Sequence, residues 1–124
     1  MEDNRTETLD VRALDSLRES IGGDQEFFAE LIHEFLHDAP SLIESLRAAA
    51  VSRDPEAARR AAHTLKSHGA TFGVRRLEAA CRTVESSAQD GLFDGIEGLL
   101  VAIEESLADA RPGLATLAAV DVSA

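Results

Sequence analysis

The 124-residue chain has 23 acidic and 12 basic side chains, a formal net charge of -11, and 44% hydrophobic residues. The negative charge excludes general nucleic-acid binding and adhesion to anionic membranes, because both need a surplus of lysine and arginine. The length suits one core, so we expect a single domain over residues 1–124. Tryptophan and tyrosine are absent, and a core of alanine and leucine favours helices over sheets.

A few features of the sequence predict the cellular compartment of the protein and the state of its chain ends. Cys81 is the only cysteine, which excludes an internal disulfide and is consistent with a reducing compartment. No apolar run approaches the roughly 20 residues of a transmembrane helix, and the first residues lack the pattern of a signal peptide. The sequence therefore predicts a cytoplasmic protein with no membrane association. We expect residues 1–8 and 120–124 to be loose tails.

Helical periodicity predicts a short first helix over residues 10–21, with Asp10 as its N-cap and Gly22-Gly23 as its stop. Asp24 then begins a long second helix. Pro40 lies within this helix, and we expect a kink rather than a stop because the apolar stripe resumes beyond it. The predicted stripes are Val11, Leu14, Leu17 or Arg18, and Ile21 in the first helix, and Phe27, Phe28, Leu31, Ile32, Phe35, Leu36, Leu42, Ile43 and Leu46 in the second.

Three more helices are predicted after residue 53. Asp54-Pro55 marks the start of the third, since a capping carboxylate precedes a proline at the first helical position; this helix ends near Gly73. The fourth covers about residues 74–88, with Leu77, Cys81 and Val84 inward. The last begins near Asp94 and keeps its apolar phase through Arg111-Pro112-Gly113, which predicts a kinked continuation or a short separate helix. The fold class is therefore all-α: an antiparallel four-helix bundle with an additional short N-terminal helix as a lid.

His63 is the candidate functional residue of the third helix. The apolar residues of this helix form one stripe, and His63 lies roughly opposite it. Arg59, Lys66, Ser67 and Ala70 share its face, because residues three and four apart are neighbours on a helix. An exposed imidazole beside cations and small side chains suits a histidine that another protein must reach and whose reactive form carries negative charge.

The residues from His63 onward resemble the histidine phosphotransfer (HPt) domain family. His63-Thr64-Leu65-Lys66, the small residue Ser67 and the glycine at Gly73 are similar to the family's histidine motif, and residues 77–85 are similar to its next helix. The resemblance covers roughly residues 9–117, and the family's helical bundle agrees with the predicted fold. One departure is Ser67, which stands where the family usually has glycine and narrows the approach to the imidazole.

The resemblance implies a phosphoryl carrier, not an enzyme, in a multistep two-component phosphorelay. His63 would carry the phosphoryl group between aspartates of response-regulator receiver domains, with Lys66 pairing with its oxygens and Arg59 as second candidate. Ser67 and Ala70 would form the docking face. The resemblance implies no ATP site or cofactor of its own, since Mg²⁺ is expected in the receiver. The expected partners are receiver domains and a hybrid sensor histidine kinase, and we expect a monomer.

Two other functions remain open. The first is a non-phosphorylated helical adaptor that keeps the bundle and only docks a receiver or kinase. The second is a metal-binding bundle, since His33 and His37 each end a Glu-x-x-His motif and lie one turn apart. Both motifs lie on one helix away from its apolar stripe, which favours a solvated acidic face. His68 lies beside the apolar stripe of the third helix, and we expect it at the boundary with a local hydrogen bond.

Overall fold

The structure, a computed structural model, describes residues 8–119. The tails expected at 1–8 and 120–124 lie outside the described residues, apart from Thr8. Five helices are described, and no strand occurs between residues 8 and 119, which confirms the all-α prediction. The helices are α1 (Val11–Ser20), α2 (Gln25–Ser52), α3 (Pro55–Thr71), α4 (Arg75–Gln89) and α5 (Ile96–Ala118).

Aspartate caps begin the first three helices where the sequence predicts them. The carboxylates of Asp10, Asp24 and Asp54 each accept a hydrogen bond from a backbone N–H two or three residues on, at 3.1–3.2 Å. Pro55 follows at the first position of α3, where its missing N–H would have had no partner within the helix. Gly22 and Gly23, both at φ 75°, end the first helical segment as expected. Of these local signals, Asp54 and Pro55 determine where α3, the helix that bears His63, begins.

Two prolines lie inside continuous helices. Pro40 interrupts neither α2 nor its packing, and Pro112 lies within α5, so the sequence after residue 110 continues one helix rather than forming a second. Proline inside a helix costs about 3 kcal/mol. Buried residues on both sides offset that cost, including Ile43 after the first proline and Leu114 after the second.

The four long helices surround one core. Helix α2 packs against α3 and α5, and α4 packs against the same two neighbours, while α1 lies against α2 and α3. This arrangement is the predicted four-helix bundle with a short N-terminal lid. Leu77, Cys81 and Val84 of α4 are fully buried, as expected.

Two residues of the predicted stripes do not belong to the core. Val11 is 60% exposed and Phe27 is 43% exposed, so their placement inward was wrong. Adjacent helical residues are turned by about 100° from each other, and Phe28 rather than Phe27 faces the bundle, with no exposed surface. Helix α1 presents only Leu14 as a fully inward side chain because it covers one end of the bundle.

Two glycines let other elements approach the end of α3. The N–H of Asp10 donates a hydrogen bond of 2.7 Å to the carbonyl of Gly73. Gly73 has φ 74°, and a Cβ there would lie 2.6 Å from the Asp10 carbonyl oxygen. A Cβ at Gly69 would lie 2.9 Å from the backbone nitrogen of Glu78 in α4. The close approach of α1 and α4 holds the C-terminal end of the helix that presents His63.

Candidate functional site

The candidate site lies on the outer face of α3. Ala58, Ala61, Ala62 and Leu65 turn into the bundle, which leaves the opposite face to solvent. The side chain of His63 is 63% exposed, so the predicted exposure of this imidazole is confirmed. Small alanine side chains on the inner face allow α3 to pack closely against its neighbours. His63 therefore lies on a helix whose inner face is tightly packed.

A carboxylate from the neighbouring helix binds both candidate side chains, His63 and Lys66. Glu85 of α4 places one oxygen, Oε2, 2.9 Å from Nδ1 of His63 and the other, Oε1, 2.5 Å from Nζ of Lys66. Its side chain is only 19% exposed, and that of Lys66 is 25% exposed. Lys66 thus lies one turn from His63, as predicted, but its ammonium group is bound to Glu85.

The charge on Glu85 fixes the tautomer of the imidazole. Burial alone would raise the pKa of the Glu85 carboxyl, but hydrogen bonds from Lys66 and His63 outweigh that effect and hold the pKa below its ordinary value. An ionised carboxylate only accepts hydrogen bonds, so Nδ1 of the neutral ring must carry the proton. Nε2 then keeps its lone pair free, which is the state a nucleophilic imidazole needs.

A shallow cleft opens on the N-terminal side of the imidazole. Its volume is about 290 Å³. The guanidinium groups of Arg59 and Arg60 lie 3.9 and 3.8 Å from the carboxylate of Glu56, distances at the outer limit of an ion pair. Arg59 therefore lies beside His63 as predicted, and Arg60 is a second cation that sequence reasoning missed. The lining residues are Glu56, Arg59, Arg60, His63, Thr64 and Glu85.

The surface on the C-terminal side of His63 is made of small exposed residues. Ser67 and Ala70 both lie on the solvent face of α3, and Thr71 follows them. Each of these side chains is smaller than the imidazole of His63. The structure thus brings Ser67 and Ala70 onto the face predicted for docking, while their part in docking stays a prediction.

Glu85 is the main site residue that sequence reasoning missed. It lies 22 positions after His63, on another helix, so no local spacing connects the two. One signal was present: Glu85 follows the buried Val84 and lies one turn after the buried Cys81, at the edge of the inward stripe of α4. A carboxylate at such an edge faces the next helix, which here is α3.

The other histidines lie away from this site. His33 and His37 are exposed on α2, and residues 8–119 contain no group of three or more side chains placed to hold a metal ion. His68 lies at the boundary as expected, with its ring edge-on to Phe35 at a centroid distance of 5.7 Å. Its Nδ1 is buried without a hydrogen-bond partner, so the expected local hydrogen bond is not formed at this atom.

Comparisons with known proteins agree with this geometry. Residues 30–113 match the sequence model of the family described as Hpt domain. Histidine-containing phosphotransfer protein B (HptB) from Pseudomonas aeruginosa PAO1 is similar in structure, with a TM-score of 0.81, 29% identity, and coverage of 90% of this chain and 94% of that chain. The HPT domain of the Hpt sensor hybrid histidine kinase from Shewanella has a TM-score of 0.68 at 16% identity, covers 89% of this chain and 92% of that chain, and shows the fold alone. A comparison with curated protein sequences gives no match.

Within residues 8–119, no helix is both long and apolar enough to cross a bilayer. The family match spans more than half of the chain and agrees with the exposed histidine on a four-helix bundle. Hpt domains are phosphoryl carriers that work with receiver domains and histidine kinases, and the adaptor alternative is not favoured. The chain belongs to the Hpt family and is a histidine phosphotransfer protein of a phosphorelay.

Proposed function

We propose that His63 is the residue that carries the phosphoryl group. The observation that supports this most directly is the hydrogen bond of 2.9 Å between Nδ1 of the exposed imidazole and Glu85. It leaves Nε2, the ring nitrogen with a free lone pair, available to an approaching partner. No other histidine on the described surface has a carboxylate partner of this kind in residues 8–119.

The chemistry is a transfer between two nucleophiles. The Nε2 lone pair attacks the phosphorus of an aspartyl phosphate on the receiver, and the bond from phosphorus to the aspartyl oxygen breaks, so the aspartate leaves as a carboxylate. The ring keeps its Nδ1 proton and becomes cationic, and the ionised Glu85 stabilises that charge. The return step to a second receiver reverses these events. The receiver would supply Mg²⁺, so this chain needs no cofactor of its own.

The docking surface of this proposal is the face of α3 on the C-terminal side of His63. Ser67 and Ala70 are exposed there, and their small side chains let the receiver close over the imidazole. Ser67 adds a hydroxymethyl group where the family usually has glycine, and this is compatible with docking because the group points to solvent. We expect the chain to act as a monomer, with a receiver domain and a hybrid sensor histidine kinase as partners.

Receiver-dependent transfer tests the proposal. Receiver domains encoded in the same genome would be loaded with a small phosphodonor and Mg²⁺ and mixed with the chain. At least one receiver should label the chain at a single site, and the label should be acid-labile and base-stable, as expected of a phosphoramidate. His63→Gln should abolish labelling and keep the fold, because exposed substitutions usually change the free energy of unfolding by less than about 0.5 kcal/mol.

The other exposed histidines provide matched controls. His33→Gln and His37→Gln remove an exposed imidazole on α2 and should leave labelling unchanged. Labelling that persists in His63→Gln would place the phosphoryl group elsewhere. Binding of a receiver without any labelling would contradict the proposal and support the non-phosphorylated adaptor instead.

A further inference from the structure

We propose that the phosphoryl group on His63 is held by Arg59 and Arg60 in the cleft beside Glu56, whereas Lys66 serves to neutralise Glu85. This inference rests on His63 as the carrier and assigns the residues that bind the phosphoryl oxygens. It reverses the order expected from the sequence, in which Lys66 was the first candidate.

Lys66 is already committed to another anion. Its Nζ lies 2.5 Å from Oε1 of Glu85, and both side chains are half-buried. Moving this ammonium to a phosphoryl group would leave the half-buried carboxylate of Glu85 without its cation. The resting place of Lys66 therefore suits a fixed counter-charge. With Glu85 neutralised in this way, a dianion on His63 meets less repulsion from the carboxylate that binds Nδ1.

The direction of the imidazole favours the N-terminal cleft. Side chains on a helix lean back toward its N-terminus, over the preceding turn. For His63, the preceding turn is that of Arg59 and Arg60, which line the same cleft as the ring. Because Glu85 holds Nδ1, the opposite edge of the ring, with Nε2, is the edge available to a phosphoryl group.

The two arginines are free to exchange partners. Their side chains are 45% and 70% exposed, and each lies 3.8–3.9 Å from the single carboxylate of Glu56. Exposed ion pairs at such distances are weak. A phosphoryl group offers three oxygens and about two negative charges, and guanidinium groups bind such oxygens in bidentate fashion. In the unphosphorylated chain, the two arginines therefore pair weakly with Glu56. A phosphoryl group on His63 would bind them more strongly and replace Glu56 as their partner.

A phosphorus NMR titration tests this assignment without any receiver. The chain would be phosphorylated with potassium phosphoramidate, which phosphorylates exposed imidazoles, and the ³¹P shift of each phosphohistidine would be followed against pH. Nearby cations favour the dianion, so the phosphoryl pKa on His63 should lie about one pH unit below those on His33 and His37. Those two histidines have a glutamate, not an arginine, three residues before them, so the deciding comparison is between His63 in the parent chain and His63 in the variants.

Matched variants distinguish the effect of the two cleft arginines from that of Lys66. Arg59→Gln/Arg60→Gln should raise the phosphoryl pKa on His63 by about one pH unit. Lys66→Gln/Glu85→Gln removes one charge of each sign and should leave it low. Arg75→Gln/Arg76→Gln removes the same charge as the first variant from exposed positions outside the cleft and should also leave it low.

Three results would overturn the inference: a low phosphoryl pKa that survives loss of both cleft arginines, one that disappears in Lys66→Gln/Glu85→Gln, or reagent labelling of His33 and His37 but not of His63. Failure of the proposed function would look different. In that case no receiver would label His63, while the chemical titration would still report on the cleft.

Discussion

At the scale of one hydrogen bond, we propose that Glu85 determines which nitrogen of His63 reacts. Glu85→Leu keeps a side chain of similar size and removes the acceptor for the Nδ1 proton. Transfer from a receiver should slow by about tenfold or more, because a hydrogen bond to a charged group contributes about 1.5 kcal/mol or more. Nitrogen NMR of the ring should show Nδ1–H as the main neutral tautomer in the parent and a shift toward Nε2–H in the variant. An unchanged tautomer ratio in Glu85→Leu would show that Glu85 does not direct the ring.

The thiol of Cys81 should be inert in the folded protein. Burial, and to a smaller extent the charge of Glu85, raises the pKa of the Cys81 thiol to about 12. Since the thiolate is the reactive form, the native chain at about pH 8 should react with an aromatic disulfide reagent far more slowly than the chain unfolded in urea. Equal rates in the two states would mean that α4 opens readily beneath the site. The measurement therefore also reports on the rigidity of the helix that presents Glu85.

At the scale of elements, Gly73 connects α3 to the N-terminal helix. Gly22 and Gly73 have nearly the same φ, 75° and 74°, but only Gly73 is crowded by other backbone atoms. Gly22→Ala should cost about 1 kcal/mol in the free energy of unfolding, from the left-handed conformation alone. Gly73→Ala should cost at least about 1 kcal/mol more, because the added Cβ must displace Asp10 and its hydrogen bond. Urea unfolding of both variants provides the comparison, and equal losses would show that the contact with α1 contributes nothing.

The helices were predictable from the sequence because their signals are local. Asp54 and Pro55 start α3 within two adjacent residues, and the apolar stripe that turns His63 outward repeats within one helix. Glu85 was not predictable in the same way, since its contact with His63 depends on how closely α3 and α4 pack. The continuity of α5 through Pro112 was left open for a related reason: the burial that offsets the proline is tertiary.

At the scale of the whole molecule, the proposed docking surface is the outer face of α3 on the C-terminal side of His63. Ser67→Tyr should reduce transfer by about tenfold or more while leaving the melting temperature unchanged, because position 67 faces solvent and a bulky ring would hold the receiver away from the imidazole. Ala115→Tyr is the matched control, since it adds an exposed tyrosine on α5, which packs against α2 and α4 rather than α3. Equal transfer by both variants would put the docking face elsewhere on the bundle.

The role proposed for His63 is tested most directly by identifying the atom that bears the phosphorus. The chain would be labelled with ¹⁵N, phosphorylated through a receiver that transfers to it, and analysed by phosphorus–nitrogen NMR. We predict a single phosphorus bonded to Nε2 of His63, because Glu85 occupies the other ring nitrogen, and no signal from His63→Gln. Phosphorus on Nδ1, on another histidine or on an oxygen atom would contradict it.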